Sequence, residues 1–375
     1  MRERLALADL QTAYGRTQLN STYELRLPPP DHVRNVLITG GAGFIGSNLL
    51  HWLVPYFPKI QFTCLDSLTY AGNPMNLTGL ASYSNFEFME LDITCRSGVM
   101  EIIAKIQPDY VFHLAAETHV DQSIIDPLKT ANTNVLGTLN LMEACRKTWK
   151  NFEGKRFLQV STDEVFGSID KGKFTTESAY NPSSPYSASK AGGDHFVNAY
   201  YRTYGFPSLV TYCTNNFGPR QNPEKLMPLV ILHCLKGDKL PVYGDGKNVR
   251  EWLFVDDHCS GLWSAALRGE IGQAYAFGSG NEVENIELVK SICKICATKL
   301  DKHENAFAPL IEFVRDRPGH DRRYAIDSSK SRNDLGWSPK FEFHKALEST
   351  VEWYLANPAW IDSVNDPRDL KLGAQ

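Results

Sequence analysis

Gly40-Gly41-Ala42-Gly43-Phe44-Ile45-Gly46 constrains this chain more than any other segment. It follows a short apolar, β-branched run, Asn35-Val36-Leu37-Ile38-Thr39, and opens an amphipathic stretch from Phe44 to Val54. The glycines at Gly40, Gly43 and Gly46 have the spacing G-x-x-G-x-x-G. Between a strand and a helix, such glycines let main chain approach a pyrophosphate that a Cβ would block. The helix N-terminus adds unpaired N–H groups and a positive dipole. The competing reading is a merely tight β–α turn.

Asp66 ends the next apolar run, Ile60–Leu65, twenty residues after Gly46. A carboxylate there can accept bonds from the ribose hydroxyls of adenosine and would repel a 2′-phosphate, so NAD is favoured over NADP. The alternative is a loop Asp that caps its own turn. Asp92, after the run Asn85–Leu91, falls where an adenine edge would lie.

Strand-like and helix-like patterns alternate beyond this point. Asn85–Leu91, Tyr110–Leu114 and Arg156–Ser161 read as strands; Gly98–Ile106, Leu128–Lys147 and Pro185–Tyr204 have helical spacing. Such alternation implies a parallel sheet covered on both faces. After residue 214 the rhythm loosens, with Gly, Pro and Asn interrupting shorter elements. The fold class expected is α/β: a Rossmann-type doubly wound parallel sheet with a smaller C-terminal substrate-binding lobe. The division expected is an extension over residues 1–30, a dinucleotide domain over 31–214, and a lobe over 215–375 with segments returning to the first domain.

Composition narrows the class of function. The chain has 39 Lys+Arg against 43 Asp+Glu, a net charge of −4, which is the wrong sign for a nucleic-acid binder. No apolar run approaches the length of about 20 residues that a membrane span needs. The first thirty residues hold Arg2, Glu3, Arg4 and Asp9 and lack a continuous apolar core, so no signal peptide is expected. The sequons at Asn20 and Asn76 then carry little meaning. Eight dispersed Cys read as free thiols in a reducing compartment, hence the cytoplasm. Cys293 and Cys296 form a lone CxxC at helical spacing, which favours core packing over metal, and no metal site is expected.

Two clusters carry chemistry. Tyr186 and Lys190 stand four apart in Tyr186-Ser187-Ala188-Ser189-Lys190, on one helix face. A nearby ammonium stabilises phenolate, so the Tyr186 pKa is expected to fall. Such a Tyr can take a hydroxyl proton while hydride leaves the same carbon. Ser161-Thr162-Asp163-Glu164 follows the strand Phe157–Val160, where side chains reach the crevice at the carboxyl edge of a doubly wound sheet. Two adjacent carboxyls there divide roles, because like charges push their pKa values apart. A solvated acidic turn is the plainer alternative.

Together these residues resemble the extended short-chain dehydrogenase/reductase family, in its nucleotide-diphosphate-sugar 4,6-dehydratase branch. The likeness runs from about Arg34 to Tyr354. Its motifs are the glycine-rich turn with Thr39, then Leu68-Thr69-Tyr70-Ala71-Gly72-Asn73 and His113-Leu114-Ala115-Ala116-Glu117-Thr118-His119-Val120-Asp121. Further on come Ser161–Gly167, Asn215-Asn216-Phe217-Gly218-Pro219, Pro223-Glu224-Lys225-Leu226 and Arg317-Pro318-Gly319-His320-Asp321. The Asp163–Glu164 pair discriminates dehydratases from epimerases and decarboxylases.

The resemblance implies NAD-dependent dehydration of a nucleotide-diphosphate-glucose to its 4-keto-6-deoxy form. dTDP-glucose is favoured over UDP-glucose on resemblance alone, since the two bases differ by one methyl. C4 is oxidised while Tyr186 removes the 4-hydroxyl proton. Glu164 then takes the C5 proton, Asp163 protonates the departing C6 hydroxyl, and hydride returns to C6. Thr162 would donate to O4 and Lys190 would hold the nicotinamide ribose. By the same carry-over Gly40, Gly43, Phe44, Ile45, Gly46, Asp66, Ser67, Asp92, Ile93, Leu114, Ala115, Ala116, Thr133, Tyr186, Lys190 and Asn216 line the NAD site. Thr118, Thr162, Asn215, Lys225, Leu226, Pro241, Tyr243, Arg250, Asn285, Arg317 and His320 meet the sugar nucleotide. Arg250 and Arg317 suit a diphosphate, which a guanidinium grips bidentately.

A homodimer is a further implication of the resemblance. Phe166 and Phe217 depart from it, standing where the family usually has Tyr. The alternatives are a UDP-sugar 4-epimerase, a UDP-glucuronate decarboxylase, or a non-catalytic NAD-binding regulator.

Overall fold

The computed structural model describes residues 27–316 and 319–364. The sequence-expected extension therefore lies largely outside the described residues, and so does Arg317.

Seven strands form the main sheet: β1 (Asn35–Thr39), β2 (Gln61–Asp66), β3 (Phe86–Glu90), β4 (Tyr110–His113), β5 (Arg156–Val160), β6 (Ser208–Cys213) and, after three strands of the lobe, β10 (Ala274–Phe277). Their order is β3-β2-β1-β4-β5-β6-β10. Every neighbouring pair is parallel. The chain runs outward from β1 to β3 and crosses back to β4. This reversal between β1 and β4 is the switch point at which such sheets open a crevice.

Both sheet faces are buried, which explains the unbroken apolar strands. Val36 and Ile38 of β1, Phe112 of β4 and Leu158 of β5 pack with Leu49, Leu50 and Trp263 on one face. Their neighbours Leu37, Val111 and Phe157 pack with Val99, Ile103, Leu141 and Val197 on the other. The period of two along each strand sorts the residues.

The lobe holds a three-stranded sheet of β7 (Asn215–Phe217), β9 (Val249–Phe254) and β11 (Glu282–Glu284), and a pair, β8 (Leu240–Tyr243) with β12 (Ile311–Val314). Its core gathers Val230, Ile231, Leu240, Trp252, Leu288, Ile292, Phe343 and Val351. Cys234, Cys293 and Cys296 are buried there too. Phe217 packs against Trp252, Phe254 and Phe343, and Phe166 against Phe174, Tyr180 and Tyr212. Both thus sit in aromatic clusters where a ring suffices.

One expectation needs correction. The stretch 128–147 is not a continuous α-helix: a short helix Pro127–Ala131 passes into a π turn, Asn132–Gly137, before the helix Thr138–Thr148. The widened turn turns Asn134 inward. Its amide donates to the Glu117 carbonyl at 3.0 Å and to Ser189 Oγ at 2.8 Å, and its oxygen accepts from the Glu117 N–H at 2.9 Å.

Candidate active site

A cavity of about 510 Å³ runs along the carboxyl ends of the main strands. Gly40 follows β1 there, Asp66 ends β2, Asp92 lies beyond β3, Leu114 beyond β4, Ser161 beyond β5, and Cys213 ends β6. The cavity continues into the lobe past Asn215, Leu226, Pro241, Tyr243, Arg250, Asn285 and His320. Every described residue that the sequence singles out for binding lines it.

The glycine-rich turn fits a dinucleotide. Gly40 has φ +69°, and a Cβ there would stand 2.6 Å from the Ala115 nitrogen. A Cβ on Gly46 would collide with the Gly40 carbonyl. Across the cavity, the buried Asn216 Oδ1 has no hydrogen-bond partner within the protein, while its amide donates to the Thr214 carbonyl at 2.9 Å. An acceptor left open at a cavity wall suits a ligand donor. Asp66 already serves the turn itself, accepting from the N–H groups of Ala42 and Leu68 at 2.9 Å each. Its remaining lone pairs are those a ribose would use.

The helix Pro185–Tyr204 starts with a capping box between Ser184 and Ser187, with Pro185 in the first turn. This start fixes Tyr186 and Lys190. The Tyr186 N–H donates to Ser123 Oγ at 3.1 Å, and the Lys190 ammonium donates to the Val160 carbonyl at 2.8 Å. Both side chains are buried yet reach the cavity.

The charge state of Tyr186 differs from expectation. Its pKa is raised well above the phenol value, by burial first and then by Glu164 and other acidic neighbours. Lys190 is itself pulled down by burial. The ammonium is committed to Val160, so desolvation and nearby carboxylates outweigh it. Tyr186 is a neutral phenol here.

Thr162 and Glu164 line the cavity; Asp163 does not. Asp163 is 2% exposed and tucked behind them. Its Oδ1 accepts from Thr162 Oγ1 at 3.4 Å. Burial, then Glu164 and Glu251, push its pKa well up, with Arg250 opposing. A carboxyl so placed keeps its proton, the state an acid needs before it acts.

On the lobe side, Arg250 donates to the carbonyls of Val249 at 2.8 Å and Asp321 at 2.9 Å and lies 4.4 Å over the Tyr324 ring. Its backbone ties hold the guanidinium at the wall. Lys225 Nζ donates to the Thr118 carbonyl at 3.1 Å and pairs with Glu224 at 3.1 Å. His320 meets Asp316 at 2.6 Å, with its ring 6.1 Å from that of Tyr243.

Glu117, His119, Asp121, Lys129 and Glu224 also line the cavity without having been singled out. Four of them sit inside motifs already quoted, so the signal was position within a motif. Among the described residues, no group of three or more His, Cys, Asp and Glu is placed to hold a metal ion.

A family model described as GDP-mannose 4,6 dehydratase matches residues 37–350. The chain belongs to this 4,6-dehydratase family. The dehydratase is 47% identical to the dTDP-glucose 4,6-dehydratase of Xanthomonas campestris over 341 residues, 88% of this chain and 95% of that protein. Among solved structures it is similar to DesIV, a dTDP-glucose 4,6-dehydratase from Streptomyces venezuelae crystallised with NAD. That match has a TM-score of 0.81 and 40% identity, and covers 88% of this chain and 100% of the other. A UDP-glucose 4-epimerase from Thermotoga maritima shares the fold at a TM-score of 0.77 but only 29% identity, over 86% of this chain and 99% of the other.

Proposed function

We propose that this dehydratase converts dTDP-glucose to its 4-keto-6-deoxy sugar nucleotide, with NAD as resident cofactor. The observation that carries the reading is the meeting of Thr162, Glu164, Tyr186 and Lys190 in one cavity with the glycine-rich turn, with Asp163 directly behind Thr162. An epimerase has no use for a protonated acid beside that cluster. The dTDP-glucose dehydratases at 40–47% identity support the same choice.

When bound, NAD⁺ would supply a hydride acceptor for C4, the positive charge of its nicotinamide and, once reduced, the hydride for C6. Gly40, Gly43 and Gly46 would hold the pyrophosphate, Asp66 the adenosine ribose, and Lys190 the nicotinamide ribose. Tyr186 takes the O4 proton, and it needs added positive charge nearby to do so. Thr162 donates to O4. Glu164 removes the C5 proton, Asp163 gives its own to the C6 hydroxyl, which leaves as water, and once hydride has reached C6 Glu164 returns a proton to C5. Arg250 and Lys225 meet the diphosphate.

The test is incubation with dTDP-glucose, and separately UDP-glucose, in heavy water, followed by NMR. The expected product has a C6 methyl and deuterium at C5. An intact C6 hydroxymethyl with inversion at C4 would sink the reading.

We also propose a homodimer in the cytoplasm. Ile125 is 74% exposed and Leu128 82%, and Leu136, Phe196 and Tyr204 add apolar surface on the segments packed beside them. All eight cysteines are free thiols, which suits a reducing compartment. Among the described residues no helix is long and apolar enough to cross a membrane. Sedimentation of the wild type should give a dimer and that of Leu128→Glu a monomer. A wild-type monomer would end the proposal.

A further inference from the structure

Asp194 is a buried charge for which the reaction has no use. It lies one turn beyond Lys190 on the helix Pro185–Tyr204 and is 0% exposed. Its Oδ2 accepts from Ser161 Oγ at 2.5 Å and from the Tyr180 hydroxyl at 3.3 Å. The Tyr180 hydroxyl in turn meets that of Tyr212 at 2.5 Å. Ser161 lines the catalytic cavity, whereas Tyr180 and Tyr212 line a separate surface cleft on the far side. A buried carboxylate this costly persists only where a partner compensates it.

Lys190, four residues earlier on the same helix and likewise buried, is the cation that favours it most. The ammonium is itself buried and donates to a neutral carbonyl, that of Val160. Asp194 is the foremost group that favours the charged form of Lys190 against burial, and Lys190 is the foremost group that favours the carboxylate of Asp194. Remove either and the other is a lone charge in a dry interior.

We propose that Asp194 is a positioning residue for the reaction: it keeps Lys190 cationic and aimed at the cavity, while Ser161 and Tyr180 keep Asp194 ionised. This rests on the place given to Lys190 above. Facing the pair are His113 from β4, Gln159 and Ser161 from β5 and the turn after it, Tyr212 and Cys213 from β6, and Tyr180 from the loop before the helix. His195 lies against Tyr180, ring centroids 5.0 Å apart.

The sign follows from the two charges. Burial lifts the Asp194 pKa to about 6, so acidification protonates it and strips Lys190 of its counter-charge. Lys190 stays cationic in acid but loses the carboxylate that aims it, so single-turnover C4 oxidation should fall on the acid side with a midpoint of about 6.

The experiment uses the full-length, NAD-loaded protein. Lys190 is followed by NMR of its side-chain nitrogen, and C4 oxidation by NADH absorbance across pH. In Asp194→Asn the ammonium should titrate lower by roughly one pH unit or more, and the acid limb should vanish. Asp194→Glu should restore both in part. Tyr180→Phe keeps the pair but deletes one bond to the carboxylate, so the limb should move up by roughly half a pH unit. An unmoved Lys190 titration in Asp194→Asn, or an unmoved limb in Tyr180→Phe, would overturn the proposal. Should Asp194→Asn fail to fold, Tyr180→Phe decides. A wild type that does not oxidise C4 would end the functional reading, and the Lys190 titration would still judge Asp194.

Discussion

The Lys190 ammonium and the Val160 carbonyl are 2.8 Å apart, and their bond joins the helix Pro185–Tyr204 to the end of β5. Tyr186 stands on one side of that join and the run Thr162-Asp163-Glu164 begins two residues beyond the other. The Lys190 side chain, anchored on the main chain of β5, therefore helps to set the distance between the oxidising pair and the eliminating pair.

Tyr186→Phe deletes the group that receives the O4 proton. General-base removal of this kind costs roughly 10²–10⁴-fold in rate. C4 oxidation, read as NADH absorbance in a single turnover, should fall by that much with NAD retention unchanged. A loss below tenfold would assign the proton to another group.

Asp163→Asn keeps the shape of a buried carboxyl but has no transferable acid proton. C4 oxidation should stay measurable while methyl formation at C6 slows by roughly 10²-fold or more. NADH should accumulate, visible at its absorbance band. Equal loss of both steps would contradict the role given to Asp163.

His258 is fully buried, and neither ring nitrogen has a hydrogen-bond partner in the structure. Burial lowers its pKa to about 3 from 6.5. The unfolded chain binds a proton below 6.5 that the folded one refuses, so this residue's contribution to stability is lost as pH falls from 6.5 toward 3. His258→Leu removes that penalty. Relative to wild type, the variant should gain about 2 kcal/mol on going from pH 7 to pH 5, measured by urea unfolding. A pH-independent difference between the two proteins would refute the assignment.

Gly40→Ala places a Cβ at φ +69° against the Ala115 nitrogen. Strain of that kind costs about 1–3 kcal/mol. The melting temperature should drop, and NAD should be lost on gel filtration. Retention of NAD at wild-type level would show that the turn tolerates the extra atom.

Much of this architecture was legible in the sequence. The glycine-rich turn, β1, β2, β4 and β5 announce themselves because turn chemistry and apolar runs are local. Tyr186 and Lys190 are legible because a helix fixes four-residue neighbours on one face. Other features depend on what the fold brings from elsewhere. β10, only Ala274–Phe277, is too short to carry a period. The π turn at Asn132–Gly137 is poor in helix formers, but the helical spacing of the apolar residues around it hides it, and its bonds to Glu117 and Ser189 come from distant segments. The high pKa of Tyr186 comes from burial and Glu164, neither of which the YxxxK spacing contains. Asp163 turns behind Thr162 for the same reason: adjacency in sequence gives two carboxyls and does not say which one faces the cavity.

The last strand of the main sheet, β10, is made about sixty residues after its neighbour β6. A ribosome synthesising this protein has finished β6 and is building the lobe while the edge of that strand is still bare. The dinucleotide half cannot close its sheet until residue 277 has emerged. The order of synthesis thus exposes an unpaired strand edge, the surface most prone to wrong pairing, for the time it takes to make the intervening lobe segments.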